Sequence, residues 1–368
     1  MSINKTKVLH LGRFAPPMHG AAKMNELYLE GLKKDKDFEA KKIRINYSKK
    51  LEEIGKFNLM KFLGVFIVWF KLLYQLIVFR PNKIYFELAP TGFAFLRDSI
   101  YVWLCKIFRK KIVFHLHAKG IRTIRNKFLL KYYQAVFRKT KVIILSEVLY
   151  KDIEKVVPKK NTEIVPNGIP NEITDKEFNK ILKKREKSKK PILLFLSNMI
   201  ESKGPLDVLE ICRSLKENKI EFECLFVGPW ESKDMKEKFY NLVEKYNLGN
   251  NCKYLGPKYG EEKKEIFSKA NFFIFPTKYP KERFPLVILE SFMYGLPVLS
   301  YDNGAIKEII NKKYLGFVSD KNTPKELSKW LKKNIKKKQK PKKIRKEFKN
   351  NYDIKVARDE LKKILKDE

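Results

Sequence analysis

The sequence predicts an α/β chain built as two doubly wound domains. Three observations carry this. Short apolar, β-rich runs alternate with helical stretches; the alternation restarts after a Lys-rich break near the middle; and 368 residues exceed what one compact domain usually holds. A hydrophobic content of 44% and an aromatic content of 13% supply large cores and exclude disorder for most of the chain.

The expected strands of the first half are Lys7–Leu11, Lys42–Tyr47, Lys83–Leu88, Lys111–His117 and Lys141–Leu145. Those of the second half are Ile192–Ser197, Glu223–Val227, Asn271–Pro276 and Pro297–Tyr301. Most are continuously apolar, as parallel strands covered on both faces should be. The break at Asp175–Lys190, DKEFNKILKKREKSKK, separates a domain over 1–175 from one over 191–350, with 176–190 as linker. Residues 351–368 read as a C-terminal helix packing back towards the first domain.

Leu59–Phe79, LMKFLGVFIVWFKLLYQLIVF, is long enough to cross a bilayer. At 100° per residue, however, Lys61, Lys71 and Gln75 fall within about 80° of one another. A lysine at the membrane centre costs about 2.5–3.5 kcal/mol. A span would also put the strands at Lys42 and Lys83 on opposite sides of the membrane. A buried crossover helix and a helix lying in the membrane interface both stay open.

The net charge is +38, and only 13 of the 80 basic residues are arginine. Nucleic-acid recognition leans on bidentate Arg contacts, so no nucleic-acid partner is expected. Compositional drift and an anionic membrane surface or substrate remain as readings. Cys105, Cys212, Cys224 and Cys252 show no metal-ligand spacing and read as reduced, buried thiols. The start, MSINKTKVLHLGRF, has no signal-peptide apolar region, so a cytoplasmic location is expected.

The densest chemical signal is FFIFPTKYPKERFPLVILESFMYGLPVLSY, Phe272–Tyr301. A buried strand reaches Pro276, a polar loop carries Glu282, and a helix begins near Pro285, a favoured first-turn residue. Backbone N–H groups over Arg283, Phe284, Pro285, Leu286 and Val287, proline excepted, favour an anion such as a diphosphate. Glu282 can hydrogen-bond sugar hydroxyls, and Glu290, farther along the helix, can reach a ribose diol. Taken singly, Glu282 reads first as a solvated loop charge and Glu290 as a helix-surface charge.

Glu282 and Glu290, with seven residues between them, resemble the E-x7-E motif of retaining GT-B glycosyltransferases, and the ERFPLVILESFMYGLPVLS context resembles family 4 of that class. Further segments are similar in the same order. KVLHLGRFAPPMHG carries Gly20 and Ala21, which resemble the family's small-residue loop for donor phosphate or acceptor. FHLHAKG matches a functional histidine best at His117, with His115 on the same face. VPNGI, Val165–Ile169, is similar to a segment near the end of the first domain. SNMIESKG matches Lys203 and Gly204 of the phosphate-gripping loop, but Asn198 stands where an arginine is expected. Val227-Gly228 and Leu255-Gly256-Pro257 end strands at the edge that holds base and ribose, which puts Gly228 and Gly256 among the donor-binding residues.

The resemblance implies two Rossmann-like domains facing a central cleft and metal-independent, retaining transfer from a nucleotide-sugar, UDP by family frequency, to a saccharide acceptor. No cofactor is implied. Glu282, His117 and Lys203 would be catalytic. Glu290, Asn198 and Arg283 would serve the donor, with Arg283 as a stand-in for the missing arginine. A lipid-linked acceptor, surface polysaccharide synthesis and a peripheral site on the inner face of the plasma membrane follow as expectations. The competing readings are a GT-B-fold UDP-sugar epimerase and a basic membrane-binding protein with a degenerate site.

Overall fold

A computed structural model describes residues 5–16, 20–45 and 59–367. The chain divides into two compact units: residues 1–168 with 354–368, and residues 169–353.

The first unit runs β1 (Thr6–Gly12), α1 (Gly20–Lys33), β2 (Phe38–Arg44), α2 (Leu59–Val78), β3 (Lys83–Phe86), α3 (Gly92–Ile107), β4 (Lys111–His115), α4 (Lys127–Phe137), β5 (Lys141–Ile144), α5 (Tyr150–Ile153) and β6 (Thr162–Ile164). Its six strands form a parallel sheet in the order β2-β1-β3-β4-β5-β6. The inner strands β3 and β4 are buried almost throughout, which is why they read as unbroken apolar runs. The edge strand β2 mixes buried and exposed positions and begins at Phe38, four residues before the run expected from Lys42. Tyr47, the expected end of that run, lies outside the described residues. The edge strand β6, three residues long, was not expected.

Helix α2 is a crossover. The strands before and after it, β2 and β3, flank β1 in one sheet, so the helix returns the chain to the same layer. Val68, Leu72 and Leu76, at helical spacing, join the core with Phe79. Among the described residues no helix is long and apolar enough to cross a membrane. The side chain of Lys61 lies outside the described residues.

The second unit runs α6 (Asp175–Glu186), β7 (Ile192–Leu196), α7 (Pro205–Glu217), β8 (Glu223–Val227), α8 (Lys233–Lys245), β9 (Cys252–Tyr254), α9 (Gly260–Lys269), β10 (Phe272–Phe275), α10 (Leu286–Met293), β11 (Val298–Tyr301), α11 (Ile306–Ile309), β12 (Gly316–Ser319), α12 (Pro324–Asn334) and α13 (Pro341–Asn351). Its parallel sheet has the order β12-β11-β10-β7-β8-β9. Much of the stretch read as a linker lies in α6, held by a Thr174–Glu177 capping box. Phe178 of α6 is buried, and the Arg185 guanidinium donates to the carbonyls of Phe267, Ser268 and Tyr294. All four cysteines are free and buried; Cys224 and Cys252 are register partners on β8 and β9.

A last helix, α14 (Ile354–Lys366), belongs to the first unit. Ala357, Leu361, Ile364 and Leu365 form its buried face. Arg358 donates to the Leu27 carbonyl at 2.8 Å and pairs with Glu30 at 3.1 Å, which ties the helix to α1.

Candidate active site

In each unit the expected residues gather at the C-terminal ends of the strands, where doubly wound sheets place their ligands.

In the second unit, β7 and β10 are paired neighbours, so the loops that leave them start side by side. The β7 loop carries Lys203 and the β10 loop carries Glu282. Lys203 Nζ lies 2.6 Å from Glu282 Oε2, with both side chains largely buried. The Lys203 ammonium also sits 4.3 Å from the centroid of the Tyr279 ring. Thr277 Oγ1 is 3.5 Å from the same Glu282 oxygen. The ion pair therefore rests against an aromatic ring, with the Thr277 hydroxyl beside the carboxylate.

Backbone geometry fixes this position. Gly204 follows Lys203 with φ +88° and caps the start of α7; a Cβ there would stand 2.3 Å from the Pro276 carbonyl oxygen. The two loops thus touch through main chain. The Glu282 loop is also braced from the end of β11: Asn303 Nδ2 donates to the Tyr279 carbonyl at 2.9 Å, and the Ala305 N–H donates to the Arg283 carbonyl at 2.8 Å. Asn303 carries no motif signal in the sequence; only the strand order brings it here.

Arg283 turns back on its own loop, where Nη1 donates to the carbonyls of Pro280 at 3.0 Å and Glu282 at 2.8 Å. It braces the loop. Phe284 and Pro285 are buried, and α10 begins one residue later than expected, at Leu286, with Val287 in its first turn. Glu290, half-buried on α10, pairs with Lys263 of α9 at 2.6 Å. The other end of α10 is held by two cations, since Arg345 donates to the Met293 carbonyl at 2.8 Å and Arg185 to that of Tyr294 at 2.9 Å.

Asn198 is exposed just after β7. Gly228, after β8, has φ +143°, and a Cβ there would lie 1.8 Å from the Ser197 carbonyl oxygen. Its N–H donates to the Gly256 carbonyl at 3.1 Å, so the loops after β7, β8 and β9 form one continuous rim. Gly256 itself faces open space.

The first unit builds a buried polar cluster. His10 on β1, Glu87 after β3, and His115 and His117 at and beyond the end of β4 meet Asn25 of α1 and Arg13. The Arg13 N–H donates to Glu87 Oε2 at 2.9 Å, and the Arg13 guanidinium pairs with Oε1. Asn25 Nδ2 donates to the same carboxylate and to the Arg13 carbonyl, while its Oδ1 lies 3.2 Å from His10 Nε2. Burial raises the Glu87 carboxyl, but Arg13 and His117 outweigh it and hold the pKa below the ordinary value. Glu87, Arg13 and Asn25 were not singled out from sequence, because an E-L-A-P run carries no spacing signal.

The two motif histidines separate in role. His115 is wholly buried, with Nδ1 hydrogen-bonded to the Tyr85 hydroxyl at 2.6 Å; burial, then His117 and His10, drive its pKa well below the usual value. His117 is half-buried, its ring 4.1 Å from that of His115. The turn after it is already occupied: the Asp152 carboxylate accepts from the N–H groups of Gly120, Ile121 and Arg122. Gly20 opens α1 at an exposed position where a Cβ would meet nothing within 4 Å, and Ala21 follows half-buried.

Residues 176–351, just under half of the chain, match the family model described as Glycosyl transferases group 1. The amylovoran biosynthesis glycosyltransferase AmsK of Erwinia amylovora is 27% identical over 161 residues, 42% of this chain and 38% of that protein. The chain thus aligns with little more than a third of that curated relative's length. The crystal structure of a glycosyltransferase from Rickettsia africae ESF-5 superposes with a TM-score of 0.78 at 17% identity, covering 99% of this chain and 98% of that one. Anabaena Alr3699/HepE in complex with UDP superposes with a TM-score of 0.73 at 16% identity, covering 98% and 99%. These structures establish the fold as GT-B: two parallel-sheet α/β domains of six strands each.

Proposed function

We propose that the protein is a retaining glycosyltransferase that moves a sugar from a UDP-sugar to a saccharide acceptor. The observation that carries the reading is the Lys203–Glu282 pair, held 2.6 Å apart at the ends of two adjacent strands. A cation and a carboxylate so placed suit the diphosphate and the sugar of a nucleotide-sugar. Lys203 faces the diphosphate, whose charge grows as the glycosidic bond breaks, and Glu282 accepts from the sugar hydroxyls. Glu290 takes the ribose diol. His117 serves the reacting sugar or its acceptor. In the transfer, the bond from anomeric carbon to phosphate oxygen breaks, the acceptor hydroxyl oxygen bonds to that carbon, and the hydroxyl proton leaves with the nucleoside diphosphate.

The matching family model and the name of AmsK support sugar transfer in polysaccharide synthesis. The UDP complex of HepE supports UDP as the nucleotide. Four free, buried cysteines support a reducing, cytoplasmic setting. Asn198 leaves one phosphate cation fewer than the family pattern has; Arg283 Nη1 is held by two carbonyls of its own loop, so in this reading Lys203 and the backbone at the start of α10 take the larger share of the diphosphate, with Arg283 beside them. A lipid-linked acceptor belongs to the same proposal, motivated by the apolar Leu59–Phe79 stretch, the aromatic Phe93–Phe108 region and the strongly basic chain.

The test is a panel of nucleotide-sugars, read as thermal stabilisation and as nucleotide release with and without saccharide acceptors. Acceptor-dependent release from a UDP-sugar supports the reading. Conversion of the donor without any acceptor replaces it with epimerisation, and no stabilisation by any donor removes it.

A further inference from the structure

The first unit turns an unusual surface outwards. Helix α2 buries one face in the core, yet its opposite face is also apolar: Leu63, Ile67, Phe70, Tyr74 and Val78 are all more than half exposed. Neighbouring α3 repeats the pattern. Phe93, Leu96, Ile100, Trp103 and Ile107 recur every three or four residues on its outer side, with Phe93 91% exposed and Ile107 74%. The two helices pack against one another and are tied by the Tyr101 hydroxyl, which donates to the Val65 carbonyl at 3.2 Å. Trp103 Nε1 donates to the Tyr132 hydroxyl on α4, and the first turn of that helix carries exposed Phe128. Two adjacent helices with continuous apolar outer stripes form a patch of the kind soluble surfaces rarely leave uncovered.

The charge around the patch says what covers it. Between Leu63 and Lys141 sixteen residues are lysine or arginine, and the only acids, Glu87 and Asp98, are buried. Lys71, Arg80, Arg109, Arg125, Lys127 and Lys131 are exposed on or beside α2, α3 and α4. A second copy of the chain would bring like charges together across the contact. Anionic headgroups would complement them, at about 1 kcal/mol per basic residue near the surface. Tyr74 and Trp103 are the side chains that sit well at a headgroup boundary, apolar in body and polar at one end.

We propose that the outer faces of α2 and α3 dock on an anionic lipid bilayer, with both helices lying in the interfacial plane. Helix α2 cannot cross the membrane, because β2 and β3 belong to one sheet. It enters to side-chain depth, with its apolar stripe among the acyl chains and the flanking cations at the phosphates. This goes beyond the sugar-transfer reading and does not rest on it.

The test is flotation of the full chain with vesicles of phosphatidylcholine alone or mixed with phosphatidylglycerol, without any sugar donor. Wild type should float with the mixed vesicles, and bind them less as salt rises. Phe93→Glu and Ile107→Glu replace side chains that pack against little, so both should keep the wild-type melting temperature and partition at least about tenfold less. Arg125→Glu with Lys131→Glu should weaken binding to mixed vesicles while leaving the weak partition into phosphatidylcholine unchanged. Wild type that stays with the lipid-free fraction, or folded Phe93→Glu and Ile107→Glu variants that bind as wild type does, would overturn the proposal. So would concentration-dependent self-association without lipid that Phe93→Glu abolishes. Vesicle binding can fail with transfer intact, and transfer can fail with binding intact, so the two readings fall separately.

Discussion

Lys203 Nζ and Glu282 Oε2 stand 2.6 Å apart, on loops that leave adjacent strands 79 residues apart in sequence. Each charge is the other's partner in a largely dry site, so neither can be changed alone without consequence. Lys203→Ala and Glu282→Ala should each reduce turnover by about 10²-fold or more. The double variant should lose much less than the product of the two. Steady-state kinetics on the four proteins of this cycle measure the coupling, and independent effects would separate the two residues.

The motif histidines should respond in opposite ways. His117→Ala should lower kcat with a near-normal melting temperature, since the ring is half-buried at the rim. His115→Ala leaves the buried Tyr85 hydroxyl without its partner and opens a cavity, so it should cost about 2–4 kcal/mol of stability. Chemical denaturation beside kinetics distinguishes them.

The buried histidines should make the first unit acid-labile. Burial, only partly offset by the Asn25 hydrogen bond and the Glu87 charge, lowers His10 from 6.5 to about 3. Between those values the unfolded chain binds a proton that the folded chain refuses, so stability falls as pH drops through that window. His115 is shifted the same way. Glu87, held below its ordinary value, adds stability above that value which is lost as pH falls through its folded pKa. Urea unfolding should show a loss of about 2 kcal/mol per buried histidine between pH 7 and pH 5. His10→Gln should make the dependence shallower; an unchanged slope would exclude His10 as its source.

Two glycines of the rim formed by the loops after β8 and β9 should differ sharply. In Gly228→Ala the new Cβ meets the Ser197 carbonyl, so the loops after β7 and β8 must separate, at a cost of about 3 kcal/mol or more together with weaker donor binding. In Gly256→Ala the backbone again has positive φ, +73°, but the space is open, and only about 1–2 kcal/mol should be lost. Equal losses would mean that φ alone, without the contact, sets the cost.

Glu290→Ala should raise the donor KM about tenfold with a smaller change in kcat, as expected of a group that binds ground state and transition state alike. Lys263→Met, which removes the 2.6 Å partner, should leave the donor KM near normal. A large rise in KM for Lys263→Met would move the ribose contact from the carboxylate to its environment.

The sequence by itself determined the two-domain α/β plan, the inner strands and the order of the motif loops. Strands buried on both faces are apolar at most positions, so β3, β4, β7, β8, β10 and β11 announce themselves in the residue string. The edges β2, β6, β9 and β12 are short or mixed in polarity, because one side has no neighbour; β2 was misplaced, β6 and β12 were passed over, and β9 showed only its Leu255-Gly256 end. Tertiary structure alone decided what joins across the sheets. Strand pairing set Lys203 against Glu282, folded Arg283 onto its own loop, brought Asn303 beneath the site, and gathered Glu87, Arg13 and Asn25 around the histidines. It also showed that α2 and α3 are apolar on the outside. Hydropathy along a string measures how oily a helix is, and only packing tells which of its faces the core has left over.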